Sequence, residues 1–225
     1  MLYAVISSLA IAICFVPFVF LGFRKVRRVN TYCIIGIYWL FNGLVNLPTL
    51  KFIHSAAVRE FFQRFSDFYD LADTPLVLLV FVFASSGRLR KHLLAVLLIY
   101  IAGEWVLIAR KGYSPAWPII IGAGVLLILI YSITGLWQYL KKMEHNPFEN
   151  SMAFVYAALL FAYFTYLIIY ILSYYKKGIY DEADSFLIYY ISLLLSAAVT
   201  SAGIWSYGLH KKREALVRGY SSSSS

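Results

Sequence analysis

Acidic side chains inside an apolar stretch are the feature of this chain that packing alone explains least well. Asp67, Asp70 and Asp73 recur every third residue, so each is turned about 60° from the last around a helix. The apolar run 76–84 follows directly after them. A carboxylate in such surroundings is costly unless it is paired, protonated or hydrated, so Asp70 and Asp73 are predicted to belong to a site. Asp67 has a simpler explanation, because an acidic residue in a first helical turn complements the helix dipole.

Two further stretches carry polar residues at a comparable predicted depth. Glu104 lies in the apolar segment 101–106, about 9 Å along a helix from the basic residue Arg110. Asn42 and Asn46 are four residues apart and therefore share one helix face. Such asparagines often only bond neighbouring helices to each other, and that alternative stays open. We expect Asp73 and Glu104 to form a charged or proton-sharing centre.

Hydroxyl groups on the last two apolar stretches would complete the site. Tyr163, Tyr166 and Tyr170 share one face of the sixth stretch, and Tyr166 is expected, with Asn46, to orient the acidic centre. Tyrosine stripes also serve packing and interface anchoring. If the stripe faces inward, it predicts an outward-opening pocket that is acidic on one wall and phenolic on the other.

The pattern of histidines and carboxylates limits the chemistry. His54, His92, His145 and His210 all fall in predicted loops or at the ends of apolar stretches, and no cluster has metal-ligand spacing, so no metal site is predicted. Two buried carboxylates can split their pKa values and exchange a proton, so an enzyme remains possible. Catalytic residues stay unassigned.

Seven apolar stretches must position these side chains. Hydrophobic residues make up 61% of the 225 residues, and the mean hydropathy is +0.73. Each stretch approaches the ~20 residues that a helix needs to cross a bilayer. The sequence predicts an all-α, seven-helix transmembrane bundle over 1–209 and a short basic tail over 210–225, disordered at its serine run. The predicted spans are 3–22, 31–49, 66–85, 93–109, 117–140, 152–175 and 185–209.

Basic residues predict the orientation of this bundle. The net charge is +9, and most Lys and Arg residues follow the first, third, fifth and seventh spans. The positive-inside rule then places the N-terminus outside and the C-terminus in the cytoplasm. The charge is explained by topology and anionic lipid, so no nucleic-acid partner is expected. The residues counted on the cytoplasmic side are Arg24, Lys25, Arg27, Arg28, Arg88, Arg90, Lys91, Lys141, Lys142, Lys211, Lys212, Arg213 and Arg218.

Two short stretches resemble microbial rhodopsins, which are seven-helix proteins with the N-terminus outside. Their third helix carries the pattern Arg-x-x-Asp-Trp-x-x-Thr-Thr-Pro-Leu, and this chain has Asp-Thr-Pro-Leu at 73–76. Their seventh helix carries Ser-Ala-Lys-Val, and this chain has Ser-Ala-Ala-Val at 196–199. The resemblance implies a bundle of that shape with an internal pocket.

The departures from the rhodopsin pattern exclude its cofactor. Ala198 stands where the retinal-binding lysine should be, and a Schiff base needs an amine. Tyr69 takes the place of the counter-ion aspartate, and Ser66 that of the arginine. No covalent retinal is therefore expected, and no other cofactor is predicted.

Three classes of function remain at this stage. The favoured one is a bacterial inner-membrane protein whose pocket binds or senses a small ligand or lipid, with signalling through a membrane partner protein. The second is a proton- or cation-coupled transporter or channel. The third is a membrane-embedded enzyme that uses paired carboxylates on a lipid-like substrate.

Overall fold

Nearly all of the chain is helical over the residues that the computed structural model describes, which are 2–23, 30–50, 56–175 and 182–222. No strand occurs in these ranges, so the predicted all-α class is confirmed. A 3₁₀ turn, Leu47–Leu50, follows the third helix. The helices are α1 Leu2–Cys14, α2 Val16–Phe23, α3 Asn30–Asn46, α4 Ala56–Ala84, α5 Gly87–Lys111, α6 Tyr113–Lys141, α7 Pro147–Tyr175 and α8 Glu182–Ser222.

Five segments of the described chain are long and apolar enough to cross a membrane, which indicates a membrane protein. Two of the seven predicted spans are not among them. These two are the second and third predicted spans. Helix α3 has only 17 residues, and helix α4 carries three aspartates in its middle. The five segments are Tyr3–Gly22, Gly87–Lys111, Tyr113–Lys141, Pro147–Leu172 and Leu187–His210.

The first of these segments consists of α1 and α2, which are interrupted only at Phe15. Pro17 explains the interruption, because it has no N–H for the carbonyl of Ile13 and its ring crowds that carbonyl. The N–H of Phe15 instead bonds to the carbonyl of Ala12 at 3.3 Å, a tighter turn than the α-helix. The two helices therefore act as one broken segment.

The helices form a closed ring in chain order. Each of α3 to α7 packs against the next helix, and α1 and α2 pack against both α3 and α8. Because α4 also contacts α6, it lies toward the inside of the ring. One half of the ring, called here the packed end, is filled by fully buried apolar side chains. These include Ile35, Val77, Leu78, Ile128, Leu159 and Ile204.

A close approach of α7 and α8 characterises the packed end. A Cβ on Gly203 would lie 2.9 Å from the backbone oxygen of Ser151, so the two backbones are nearly in contact. The Ser151 hydroxyl donates a hydrogen bond of 2.7 Å to the carbonyl of Gly203. Small residues allow helices to approach in this way in membranes.

Several boundaries differ from the predicted ones. Helix α4 begins at Ala56, ten residues before the predicted span, because charged residues are tolerated in a helix that extends beyond the apolar layer. Helix α8 continues through 210–222 of the predicted tail, while 223–225 lie outside the described residues. Part of the basic residues that predict the orientation lies outside the described residues. These are Arg24, Lys25, Arg27, Arg28, Lys51, Lys176 and Lys177, and the side chains of Arg59, Lys211, Lys212, Arg213 and Arg218 are likewise not described.

Candidate functional site

A cavity of about 140 Å³ lies inside the ring, opposite the packed end. Its walls come from the second half of α3, the middle of α4, α5 and α7, and the first half of α6 and α8, and we call this half of the ring the cavity end. Of the six residues predicted for the site, five line the cavity: Asn42, Asn46, Asp70, Asp73 and Tyr166. The remaining wall includes seven aromatic side chains, namely Tyr38, Trp39, Tyr69, Tyr100, Trp117, Tyr163 and Tyr189.

The carboxylate of Asp73 is held by two phenols. Tyr69, one turn earlier on α4, donates to Oδ1 at 2.8 Å. Tyr163, on α7, donates to Oδ2 at 2.6 Å. Hydrogen bonds to an ionised acceptor are among the stronger ones in proteins, so this arrangement both orients Asp73 and ties α4 to α7.

The direction of the hydrogen bonds around Asp73 is determined by Asn42. Its Nδ2 donates to the backbone carbonyl of Tyr38 at 3.5 Å and to the hydroxyl of Tyr69. An amide nitrogen can only donate, so the Tyr69 hydroxyl accepts this bond and directs its own proton to Asp73. On the other side, Tyr38 donates to Tyr163 at 3.3 Å, and Tyr163 donates to Asp73. Both chains of donors therefore end on the carboxylate of Asp73.

Asn46 connects α3 to α8. Its Nδ2 donates to the carbonyl of Asn42 at 2.8 Å and to the hydroxyl of Tyr189 at 3.2 Å. Its Oδ1 accepts from Tyr190 at 3.3 Å. Asn42 and Asn46 thus bond helices together, the alternative that the sequence left open, and at the same time line the cavity.

Asp70 lies on the same wall in a different environment. It is half-buried, and no hydrogen bond or ion pair to its carboxylate occurs in the described part of the chain. Trp117, which also lines the cavity, stacks on Tyr113 with ring centroids 5.4 Å apart. The carboxyl group of Asp70 therefore has no partner within the described residues, on a wall that also carries aromatic side chains.

Glu104 is the predicted site residue that the structure places elsewhere. Its side chain is buried, with 7% exposed, but it is absent from the described lining of the cavity. Tyr100, one turn earlier on α5, occupies the wall instead and bonds to the carbonyl of Ile120 at 3.1 Å. The Tyr100 hydroxyl also contacts the side chains of Thr74 and Glu104. Glu104 therefore lies behind Tyr100, as seen from the cavity. The structure does not pair it directly with Asp73, so that part of the prediction is wrong.

Three polar residues on α8 lie one turn apart, and their hydroxyls have no hydrogen-bond partner in the described part of the chain. Ser192, Ser196 and Thr200, called here the hydroxyl column, are 4%, 1% and 0% exposed, and no hydrogen bond to these hydroxyls occurs within the described ranges. Ser192 lines the cavity, as does Trp39, whose Nε1 also has no described partner. Buried polar groups are almost always hydrogen-bonded, so water or a ligand in the cavity would satisfy these two.

Sequence reasoning left Tyr38 and Tyr69 out of the site and treated Tyr163 only as part of a stripe. The sequence does contain a spacing that could have assigned Tyr38 and Tyr69 to the site. Tyr38 precedes Asn42 by four residues, and Tyr69 precedes Asp73 by four, the spacing at which side chains meet on a helix. Tyr163 offered no comparable signal, because its bond to Asp73 crosses from α7 to α4.

Neither a metal cluster nor a known relative assigns a role to this cavity. Within the described residues, no group of three or more His, Cys, Asp or Glu side chains could hold a metal ion. No protein-family model matches the chain, and no curated protein or solved structure is significantly similar to it. Its function is therefore inferred from the geometry of the site.

Proposed function

We propose that this protein crosses a bacterial inner membrane seven times and binds a small ligand in the cavity around Asp73. The observation that carries the proposal is a hydrogen-bonded acidic centre facing an internal cavity. Polar groups that served only to hold helices together would pack against each other and leave no space. Here Asn42, Tyr69 and Tyr163 hold Asp73 in one orientation at the edge of open volume.

The topology in this proposal adds α3 and α4 to the five apolar segments. Both helices take part in the closed ring, and a ring of this kind needs all its members at the same depth. Two of the three aspartates that interrupt the apolar length of α4, Asp70 and Asp73, line the cavity. Their cost in the membrane would be reduced because they face a polar interior rather than lipid. The positive-inside rule, applied to the basic clusters, supports an N-terminus outside the membrane in this proposal.

Ligand binding also accounts for the rigidity of the site. A ligand binds more tightly when the groups that contact it are already ordered, because less conformational entropy is lost. Bonds from Tyr38 and Asn42 of α3 fix the two tyrosines that contact Asp73, and the Tyr170 hydroxyl fixes α7 to α6 through a 2.9 Å bond to the carbonyl of Pro118. These bonds join α3, α4, α6 and α7.

Native mass spectrometry of the gently extracted protein, followed by organic extraction, tests the proposal. We expect a stoichiometric small molecule or lipid on the wild-type chain. Ala162 lines the cavity, so Ala162→Phe should fill it and lower the occupancy. Ala102→Phe makes the same change on the exposed surface of α5 and should leave occupancy unchanged.

Two results would count against the proposal. One is a wild-type protein that is empty after extraction from its native membrane and stays empty when incubated with a native lipid and metabolite extract. The other is equal loss of the bound molecule in Ala162→Phe and Ala102→Phe, which would locate it on the outer surface.

A second candidate, proton-coupled transport, is favoured by the hydroxyl column. Ser192 lines the cavity, and Ser196 and Thr200 continue from it along α8 toward the packed end. Hydrated hydroxyls could carry protons between the cavity and the opposite face. Proteoliposomes with an internal pH dye test this: transport requires a proton flux that Ser196→Ala reduces, and no flux above protein-free liposomes rejects it.

A further inference from the structure

The charge of the cavity wall is one-sided. Asp70 and Asp73 line it, and none of the described lining residues is Lys, Arg or His. The two described ion pairs lie elsewhere, between Arg64 and Glu60 and between Lys142 and Glu149. A buried carboxylate needs a compensating charge or a proton, so the described wall lacks a counter-ion.

The hydrogen bonds at Asp73 are those that an ionised carboxylate can accept. Because Asn42 directs the Tyr69 proton toward Oδ1, that oxygen is an acceptor, and Oδ2 accepts from Tyr163. An ionised carboxylate accepts at both oxygens and has about four acceptor sites. Two are filled by the phenols, so the carboxylate can still accept from a donor inside the cavity.

Aromatic side chains surround this charge. The cavity wall includes Trp117, Tyr166 and Tyr189 in addition to the phenols that bond Asp73. The faces of aromatic rings attract ammonium groups, and the attraction grows when the cation is desolvated. Carboxylates combined with rings therefore suit an organic cation better than a hydrated inorganic one.

Two more groups at the wall have no hydrogen-bond partner among the described residues. The Nε1 of Trp39 is a donor, and the Oγ of Ser192 can donate or accept; both residues are at least 96% buried, since they are 0% and 4% exposed. They could bond an oxygen on the same ligand. They point to an occupant independently of the acidic residues.

We infer that the cavity binds a compact organic cation whose ammonium group lies at Asp73. This inference rests on the proposed function and specifies its ligand class. Asp73 is the counter-ion, and Asp70 adds a second negative charge on the same wall. The ammonium group belongs either to a free small molecule or to the headgroup of a lipid.

Three probes of nearly equal shape test the charge requirement: choline, the neutral 3,3-dimethylbutan-1-ol and the anionic 3,3-dimethylbutanoate. Binding to the full chain in non-ionic detergent is followed by tryptophan fluorescence, because Trp39 and Trp117 line the cavity, and by thermal shift. We expect choline to bind in the micromolar to millimolar range and the other two to bind about tenfold more weakly or not at all.

Aspartate variants locate the binding. Asp73→Asn should weaken choline binding about tenfold or more, because the charge is lost while the shape is kept. Asp70→Asn tests the inference if Asp73→Asn fails to fold, since no described hydrogen bond depends on Asp70, and it should weaken binding severalfold. Asp67→Asn is the matched control, because Asp67 is exposed, outside the cavity lining and three residues from Asp70.

The outcomes separate the ligand class from the proposed function. If the neutral or anionic probe binds as well as choline and Ala162→Phe blocks it, the pocket stands and the cation class is wrong. If choline does not bind at all, or binds equally to all aspartate variants, the inference is overturned. Selective choline binding supports it, and weaker binding in phosphatidylethanolamine than in phosphatidylglycerol nanodiscs would assign the ammonium to a lipid headgroup.

Discussion

The two ends of the helix ring are built from the same helices and treat polar groups in opposite ways. At the packed end, the Ser151 hydroxyl bonds to the backbone carbonyl of Gly203, and apolar side chains such as Leu78 and Ile128 fill the space between the helices. At the cavity end, Asp73 and Asn42 bond to side chains of neighbouring helices around an open volume.

The difference shows where a membrane bundle can hold a site. Close packing between helices supplies much of the stability, because lipid tails are as apolar as the helices and give no hydrophobic drive. Helices make fewer such contacts around a cavity, so the stability of the bundle depends more on the packing in the rest of the ring. The packed end, with its contact between Gly203 and Ser151, supplies this support along the same helices.

The largest expected effect is the loss of a leucine from the packed end. Leu78 is 0% exposed, so Leu78→Ala leaves an enclosed void and should lower the free energy of unfolding by about 3–5 kcal/mol. Leu193 borders the cavity, so Leu193→Ala removes fewer contacts and should cost about 2 kcal/mol. Unfolding by denaturing detergent in mixed micelles measures both, and equal costs would erase the distinction between the ends.

The next effect concerns the hydrogen bonds at Asp73. Tyr163→Phe leaves Oδ2 of Asp73 and the hydroxyl of Tyr38 without their partner, which should cost about 1–3 kcal/mol. In an Asp73→Asn background the same change should cost less. A double-mutant cycle from detergent-induced unfolding measures this coupling, which we expect to be about 1 kcal/mol.

Tyr131 provides the control for this cycle. Its hydroxyl bonds to the exposed His92 at 3.3 Å, outside the cavity, so Tyr131→Phe should change stability by less than about 0.5 kcal/mol. If the Tyr163 and Asp73 changes were simply additive, the network would be a set of independent contacts rather than one acidic centre.

A smaller effect tests the close approach of α7 and α8. Gly203→Ala places a Cβ 2.9 Å from a backbone oxygen that cannot move away easily, so it should destabilise by about 1–2 kcal/mol. Gly103 has no atom near an added Cβ, so Gly103→Ala should stabilise by up to about 1 kcal/mol through helix propensity. Thermal unfolding of the two variants should therefore shift in opposite directions, and a shift in the same direction would contradict the packing described.

The smallest effects are expected from removing single buried hydroxyl groups, one at Ser151 and one at Ser196 in the hydroxyl column. Ser151→Ala removes a bond to the Gly203 carbonyl and should cost about 0.5–1.5 kcal/mol. Ser196→Ala removes a hydroxyl with no described partner and should stay within about 0.5 kcal/mol of wild type. Detergent-induced unfolding compares the two, and a loss at Ser196 as large as that at Ser151 would mean that a bound water or ligand holds the column.

The amino-acid sequence by itself determined the helices and the polar candidates on each one. Apolar stretches near bilayer length predict helices whatever their neighbours are, and five of the seven predicted spans are long and apolar enough in the structure. Periodicity within one helix also placed Asn42 and Asn46 on a common face, and both line the cavity. Local spacing is enough for such predictions because the geometry of a helix is regular.

Only the tertiary structure decided which of these candidates meet. The bond between Tyr163 and Asp73 joins residues far apart in the chain, and no spacing rule reports the rotation of α7 against α4. The rotation of α5 about its own axis likewise puts Tyr100 on the cavity wall and Glu104 behind it. Depth in the membrane alone suggested that Glu104 would face Asp73. Depth follows from the sequence, whereas the direction in which a helix faces follows from its packing against every neighbour in the ring.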